Sequence, residues 1–197
     1  MTRTSVTESR ALILREATRL FVEQGFHGIS MRQIAETVGM SKAGLYYHFK
    51  DKEALLLAVL TANIEDIERS VHDARRHGED TRRKIHLMMA AIFEQAPEQR
   101  AIIRLASQVL GQLNPDARTE FGKTSHDLLL GPIEAVLQEG IESGEIEPVD
   151  TNLATWMLLG MAYPFFYAGH ELSQYPSDQA VEMMVRIFFD GLTSRTP

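Results

Sequence analysis

The chain contains no cysteine among its 197 residues, which excludes disulfide bonds and thiolate chemistry. That absence fits a protein of a reducing cytoplasm. Residues 1–8 form no apolar core of the signal-peptide type, so we expect no secretory leader. The sequence also lacks a glycine-rich phosphate loop, a His-Glu-x-x-His zinc motif and a nucleophile elbow. We therefore predict a cytoplasmic protein that is not an enzyme and has no resident metal or cofactor.

Long uncharged runs are also scarce. The stretch that raises the question of a membrane, residues 153–169, has seventeen positions without a charged side chain and includes Gly160, Pro164 and Gly169. A membrane-spanning helix needs about 20 apolar residues. A buried helix in the core or at a subunit interface is therefore favoured, and we expect no membrane partner.

The charge is unevenly distributed. The formal net charge of −7 argues by itself against a nucleic-acid partner. Residues 1–53, however, hold eight basic and six acidic side chains, a balance of +2, which leaves −9 for the remainder. A mildly basic N-terminal part on an acidic body is expected if only the first part touches phosphate, although a difference of this size also arises by chance.

Apolar side chains recur at helical spacing along almost the whole chain, without strand-type alternation or an internal repeat. A long helix is predicted from Lys52 to about Arg76, roughly 40 Å at about 1.5 Å per residue. The other long helices are predicted at 8–24, 81–95, 97–110, 115–141 with a kink or break at Pro132, 150–172 and 177–192. With two short helices between residues 30 and 49, the sequence predicts an all-α fold of about nine helices.

The segment 30–49 reads as two short helices joined by a tight turn. Ser30 and Ser41 are N-cap residues, each placed before a helical run, and Gly39 ends the first helix. Arg32, Gln33, Lys42, Tyr46, Tyr47 and His48 are left on the outer faces. This is the layout of a helix-turn-helix, although periodicity alone fits any αα-hairpin equally well.

Residues beyond the periodicity favour the DNA-binding interpretation. Met31-Arg-Gln-Ile-Ala35, the run Val38–Phe49 and Lys52-Glu-Ala-Leu-Leu56 together resemble the DNA-binding motif of the TetR family of transcriptional repressors. The resemblance covers about the first quarter of the chain. It implies a three-helix DNA-binding domain at 1–51 and a helical ligand-binding and dimerisation domain at 52–197. It also implies a homodimeric repressor that a small ligand releases from its operator.

The second short helix would enter the major groove of double-stranded DNA. Such a helix contacts base edges from its N-terminal half. Lys42 can donate to guanine or phosphate, Ala43 can meet a thymine methyl group, and Gly44 allows a close approach. The resemblance adds Tyr46 at the groove. The predicted DNA-binding residues are Ser30, Arg32, Ser41, Lys42, Ala43, Gly44, Tyr46, Tyr47, His48 and Lys52.

Phosphate contacts are expected on both sides of that helix. Ser30 and Arg32 would bind phosphates on one flank, and Lys52 with the amides at the start of its helix would form an anion site on the other. The resemblance gives Tyr47 and His48 phosphate contacts, although a helix-end histidine can also cap carbonyls. Two copies related by a two-fold axis would read half-sites about 34 Å apart or a multiple of it, so a dimer is required.

The resemblance further implies a small-molecule effector inside the helical body. Methionine and aromatic side chains make adaptable apolar walls, and plain core packing is the alternative for each. This composition favours a hydrophobic or aromatic compound. The candidate wall residues are Met88, Met89, Phe93, Leu105, Trp156, Met157, Met161, Phe165, Phe166 and Tyr167.

The last two predicted helices, 150–172 and 177–192, carry broad apolar stripes. The resemblance assigns helices in these positions to a four-helix dimer interface, while packing inside one chain is the alternative. The candidate interface residues are Leu153, Met157, Val181, Met184, Val185, Phe188, Phe189 and Leu192. The competing interpretation of the whole chain is a helical carrier or protein-interaction module that retains a helix-turn-helix.

Overall fold

The computed structural model describes residues 3–166 and 175–191, and among them it contains helices, turns and bends but no strand. The predicted all-α fold is confirmed. Two predicted site residues, Tyr167 and Leu192, lie outside the described residues. The helices are α1 Arg3–Gly28, α2 Met31–Val38, α3 Lys42–His48, α4 Lys52–Arg75, α5 Thr81–Phe93, α6 Pro97–Val109, α7 Pro115–Ser125, α8 Gly131–Glu142, α9 Thr151–Ala162 and α10 Ser177–Asp190.

Most helix boundaries follow from local residue chemistry. Gly25 has φ 74° and interrupts α1 near the predicted end of that helix. Asp80 caps α5 by accepting a hydrogen bond from the Arg83 amide at 2.6 Å. Pro97 occupies the first turn of α6, where its missing N–H costs nothing.

The stretch 115–142 differs from a simple helix at its centre. Residues His126–Leu130 form one π-helical turn between α7 and α8, and the Gly131 amide donates to the His126 carbonyl. Pro132 follows at once, and a proline lacks the N–H that continues an α-helical ladder and clashes with the carbonyl four residues back. A π-turn accommodates such a break without ending the helix. Within the described residues, this one predicted segment therefore counts as two α-helices.

Helix α9 ends earlier than the sequence predicted. The helix expected over 150–172 is α-helical only to Ala162 and continues as a 3-10 turn over Tyr163–Phe166. Pro164 explains the change, because it cannot donate to the carbonyl four residues back.

The chain divides into two compact units. The first holds the described residues up to Asn63 together with Ala96–Lys123, and the second holds Ile64–Gln95 with the described residues from Thr124 onward. In the first unit, α1 packs against α2 and α6. The predicted domain boundary after residue 51 falls inside this unit, and as a division between DNA binding and ligand binding it stays a prediction.

In the second unit, α5 packs against α8 and α10, and α9 packs against α8 and α10. This packing buries most of the apolar stripe of α10, including Val181, Met184 and Val185. A side chain inside the core of its own chain is not available to a second chain, so this burial argues against the predicted role of these three residues in a dimer interface, which stays a prediction. Across the described residues, no helix is both long and apolar enough to span a membrane.

Candidate nucleic-acid interface

Helix α2 is fixed at both ends by its own residues. Ser30 and Gln33 form a capping box, in which the Ser30 amide donates to Gln33 Oε1 at 3.0 Å and the Gln33 amide donates to Ser30 Oγ at 3.3 Å. Gly39 ends the helix with φ 75° and ψ 28°, in the left-handed region that glycine tolerates. The Met40 amide then donates to the Ala35 carbonyl at 3.0 Å. These bonds set the direction in which the chain enters α3.

Helix α3 is anchored on one side and exposed on the other. Ser41 Oγ accepts a hydrogen bond from the Gly44 amide at 3.1 Å. Leu45 is fully buried, and Phe49 is buried just after the helix. Because both anchors lie on one side of α3, the opposite side faces outward. The predicted DNA-binding residues on that outward side are exposed, and they are Ser41, Lys42, Ala43, Tyr46 and Tyr47.

The aromatic side chains of α3 are ordered by neighbouring rings and charges. Tyr47 is the most exposed of them, at 76%, and its ring meets the half-buried His48 ring edge-on at 5.4 Å. Lys42 Nζ lies 5.7 Å from the centre of the Tyr46 ring, within cation–π range. Tyr46, which is 42% exposed, therefore lies beside a cation.

An open depression joins α3 to the residues around it. His27, Gly28, Ile29, Ser30, Met31, Arg32, Gln33, Lys42, Tyr46 and Lys52 line it. Five of the ten predicted DNA-binding residues are thus brought to one concave surface. The lining contains three basic side chains, those of Arg32, Lys42 and Lys52, and, within the described part of the chain, no carboxylate. Such a surface attracts anions.

The surroundings of Lys52 differ from the predicted anion site, in which this lysine and the amides at the start of α4 bind a phosphate together. Its ammonium lies 4.6 Å from the centre of the Phe26 ring, and burial lowers the pKa of this lysine. The start of α4 is capped by Asp51, whose Oδ1 accepts from the Ala54 amide at 2.8 Å. A phosphate at the α4 N-terminus would therefore meet a carboxylate, so Lys52 contributes to the depression through its side chain rather than through an open amide site.

Two predicted phosphate contacts already have partners. Arg32 Nε donates to Glu36 Oε1 at 2.8 Å in an exposed ion pair. The Ser30 hydroxyl serves the capping box, donating to Gln33 Oε1 at 2.7 Å. An exposed pair of this kind is weak, so a phosphate can displace Glu36 from Arg32 at little cost.

His27 and Gln33 line the depression, and the sequence interpretation did not assign them to the site. Gln33 carried a signal, because its place three residues after an N-cap serine identifies a capping box at the edge of the motif. His27 carried none. Its hydrogen-bond partner is Gln112, which lies 85 positions along the chain.

Most of the candidate wall residues for an effector lie in the interior of the second unit. Met88, Met89 and Phe93 are buried on α5, and the Phe93 ring lies 5.5 Å from Phe165 and 5.2 Å from Phe166. All five belong to the second unit, as does the half-buried Met161, whereas Leu105 is buried in the first unit.

Trp156 and Met157, predicted to line an interior wall, lie on the surface of this chain, and their contact with an effector stays a prediction. They are 57% and 59% exposed, because Thr155 and Leu158 point into the core instead. Trp156 and Met157, which lie between Thr155 and Leu158 in the sequence, therefore point outward.

The exposed side of α9 is strongly apolar. Leu153 is 54% exposed and continues the row formed by Trp156 and Met157. An open groove in the second unit is lined in part by Leu153, Met157, Phe188 and Phe189, four of the predicted interface residues. Apolar patches of this kind on a surface mark contact sites for other molecules.

Comparisons with known proteins agree with this architecture. The model of bacterial regulatory proteins of the tetR family matches residues 13–59, and the model of the tetracyclin repressor-like C-terminal domain matches residues 78–164. The transcriptional activator FasR of Mycolicibacterium smegmatis is 36% identical over 87 residues, which are 44% of this chain and only 40% of FasR. The transcriptional regulator UidR of Escherichia coli strain K12 is 28% identical over 163 residues, or 81% of each chain.

A solved structure extends the likeness to the whole fold. FadR of Bacillus subtilis, in complex with stearoyl-CoA, matches with a TM-score of 0.79 at 20% identity, over 93% of this chain and 99% of that chain. The two family models lie on the helix-turn-helix unit and on the helical body, in the order that the sequence predicted. The chain belongs to the TetR family and is a transcriptional regulator rather than an enzyme.

Proposed function

We propose that this regulator is a homodimeric repressor that binds operator DNA through α3 and the adjoining depression. The observation that carries the proposal is the set of three cations, Arg32, Lys42 and Lys52, around one concavity beside the exposed face of α3. Cations on such a surface neutralise backbone phosphates, while the start of α3 reaches base edges. Because such a protein acts on the chromosome, we also propose a cytoplasmic location.

Transcription from the promoter that flanks its own gene tests the repressor assignment. Added protein should protect a site in footprinting and reduce the transcript in a purified system. FasR is named an activator. An increase in transcript with the same footprint would replace repression by activation, and no footprint at low salt would contradict DNA binding altogether.

We propose that the effector is a hydrophobic compound bound in the second unit near the cluster of Phe93, Phe165 and Phe166. The buried Met88 and Met89 on the same helix as Phe93 support this placement, since thioether side chains repack around ligands of different shape. The stearoyl-CoA in the FadR structure makes acyl-CoA esters the first compounds to test. A ligand acts only through a difference in affinity between the DNA-competent and incompetent shapes.

A chain-length series tests this effector proposal. Footprints should weaken with one class of acyl-CoA and not with coenzyme A alone. Phe93→Ala should shift the preferred length or abolish the response while DNA binding without ligand persists. An operator affinity that no acyl chain changes would reject the acyl-CoA assignment.

We propose that the dimer forms through the exposed apolar row of α9. Leu153, Trp156 and Met157 support this, because the row would otherwise leave three large apolar side chains in water. In light scattering, Met157→Asp should give a folded monomer with weak operator binding. Tyr47→Asp, which alters an even more exposed residue on α3, should stay dimeric. A dimeric Met157→Asp variant would place the interface elsewhere.

A further inference from the structure

The depression beside α3 contains one histidine among its lining residues. His27 lines it together with Arg32 of α2, Lys42 and Tyr46 of α3, and Lys52 of α4. Imidazole is the side chain that ordinarily gains a proton between pH 8 and pH 5. We propose that His27 is a proton-dependent phosphate contact, positioned by Gln112, that strengthens DNA binding as the pH falls. The proposal rests on the assignment of the depression to DNA.

The hydrogen bonds around Gln112 fix the tautomer of His27. Gln112 Nε2 donates to the Gln108 carbonyl at 3.0 Å, so the amide oxygen points the other way. That oxygen lies 3.0 Å from His27 Nε2. Because an amide oxygen can only accept, Nε2 of the histidine carries the hydrogen. In the neutral ring, Nδ1 is then an acceptor and cannot bond a phosphate oxygen.

Protonation reverses this chemistry. The imidazolium keeps its Nε2–H bond to Gln112 and gains a second donor at Nδ1, together with a positive charge. A charge-assisted bond to phosphate is about twice as strong as a neutral one. The protonated form of His27 therefore favours DNA, and the neutral form does not.

The other charges in the depression make the effect depend on DNA. Arg32, Lys42 and Lys52 line the depression with His27, and Glu36 pairs with Arg32 in the free protein. A bound phosphate adds negative charge beside the ring and favours the imidazolium. Binding of DNA should therefore take up a proton at each His27, and by linkage the affinity should rise as the pH falls.

Gln112 belongs to a segment that is tied to the first unit at two points. The 3-10 turn Leu110–Gln112 carries the bond to His27, and the Asn114 amide that follows donates to Glu53 Oε1 at 2.7 Å. These two bonds anchor the C-terminal end of the turn, and the bond from Gln112 orients the imidazole. Gln112 is thus a positioning residue, since it acts on DNA only through His27.

Anisotropy titrations of the full-length dimer with a labelled DNA duplex, at constant ionic strength and at pH 6, 7 and 8, test the proposal. For the wild type, the affinity should rise roughly threefold to tenfold per His27 from pH 8 to pH 6, within the limit of tenfold per unit for one proton. His27→Gln should lose that dependence. His72→Gln, the matched control at an exposed histidine of α4, should keep it.

Changes at Gln112 distinguish positioning from simple charge. Gln112→Glu retains an acceptor and adds a negative charge, so the rise in affinity should move to higher pH. Gln112→Ala frees the ring and should flatten the profile. Calorimetry in buffers of different ionisation enthalpy should detect proton uptake by the wild type but not by His27→Gln. All variants should keep the wild-type unfolding temperature, because both residues are exposed.

The outcomes separate this inference from the proposed function. DNA binding with the same pH profile in wild type and His27→Gln overturns the role of His27 and leaves the DNA surface intact. Loss of the pH profile in the control His72→Gln as well would also overturn the role of His27. No binding to any duplex at low salt overturns both proposals.

Discussion

Helices α3 and α10 bury their side chains to very different extents. In α3, Leu45 is the buried residue among the seven that the structure describes. In α10, Ala180, Val181, Met184 and Val185 are all buried. A short helix anchored by one apolar residue and a serine cap can present the rest of its surface to another molecule. A longer helix that completes the core of its own chain cannot, whatever the width of its apolar stripe.

The largest expected effect is a difference in stability between two adjacent methionines of α10, one buried in the core and one on the surface. Met184 is 4% exposed and Met183 is 47% exposed. Met184→Ala should lower the free energy of unfolding by about 2–5 kcal/mol, because it leaves a cavity in the core. Met183→Ala should change it by no more than about 0.5 kcal/mol. Chemical denaturation at one fixed protein concentration measures both, and equal losses would mean that α10 does not discriminate between its two faces.

Gly44 sharpens the comparison from the side of α3. A Cβ at this position would lie 3.4 Å from Ser41 Oγ, an ordinary contact, so the fold accepts alanine. Gly44→Ala should therefore keep or raise stability, by up to about 1 kcal/mol, since alanine is the better helix former. If the backbone approaches DNA closely here, operator affinity should fall about tenfold or more, the equivalent of about 1.4 kcal/mol.

Gly122 of α7 supplies the matched control for this substitution. A Cβ there would meet nothing within 4 Å, so Gly122→Ala should also keep or raise stability while the operator affinity stays unchanged. An unaltered operator affinity in Gly44→Ala would contradict a close approach of the backbone to DNA at this position. A fall in both variants would point to an indirect effect.

The smallest expected effect concerns the junction of α5 and α8. Hydrogen bonds from the backbone amide and the hydroxyl of Thr81 hold the pKa of Glu145 below its usual range. The contribution to stability is therefore present above the ordinary glutamate value of about 4.3 and is lost as the pH falls through the lower folded value. Glu145→Gln should be less stable than the wild type at pH 6, and the difference should vanish in acid.

The exposed neighbour Glu147 serves as the control for that measurement. Thermal unfolding of Glu147→Gln should follow the wild type at both pH values. A difference between wild type and Glu145→Gln that persists unchanged at pH 2 would show that the carboxylate bonds are not its origin.

The sequence predicted the helix-turn-helix well because its signals are local. Ser30, Gly39 and Ser41 each act on residues no more than one helical turn away, so the cap chemistry can be read directly from the chain. The outward placement of Lys42 and Tyr46 then follows from the burial of Leu45 on the opposite side of the helix.

Outside the helix-turn-helix, the burial of each apolar residue depended on which helices pack together. Trp156 and Val181 are both apolar residues in apolar helices, yet one is exposed and the other buried. Val181 belongs to α10, which packs against α5, whereas Trp156 is on the side of α9 opposite the buried Thr155 and Leu158. Helical periodicity does not show which apolar stripe meets a partner helix. The bond between His27 and Gln112 eluded prediction for the same reason, since it joins two surface residues distant in sequence.

The dependence of operator affinity on salt, compared between the wild type and Lys42→Ala, tests the DNA surface most directly. Each phosphate neutralised contributes about −0.9 to the slope of log affinity against log salt concentration. Lys42→Ala should weaken binding and make the slope shallower by about 1 for each subunit, whereas Lys123→Ala, an exposed lysine on α7, should match the wild type. Identical slopes for all three proteins, or no duplex affinity at low salt, would contradict the assignment of α3 to DNA.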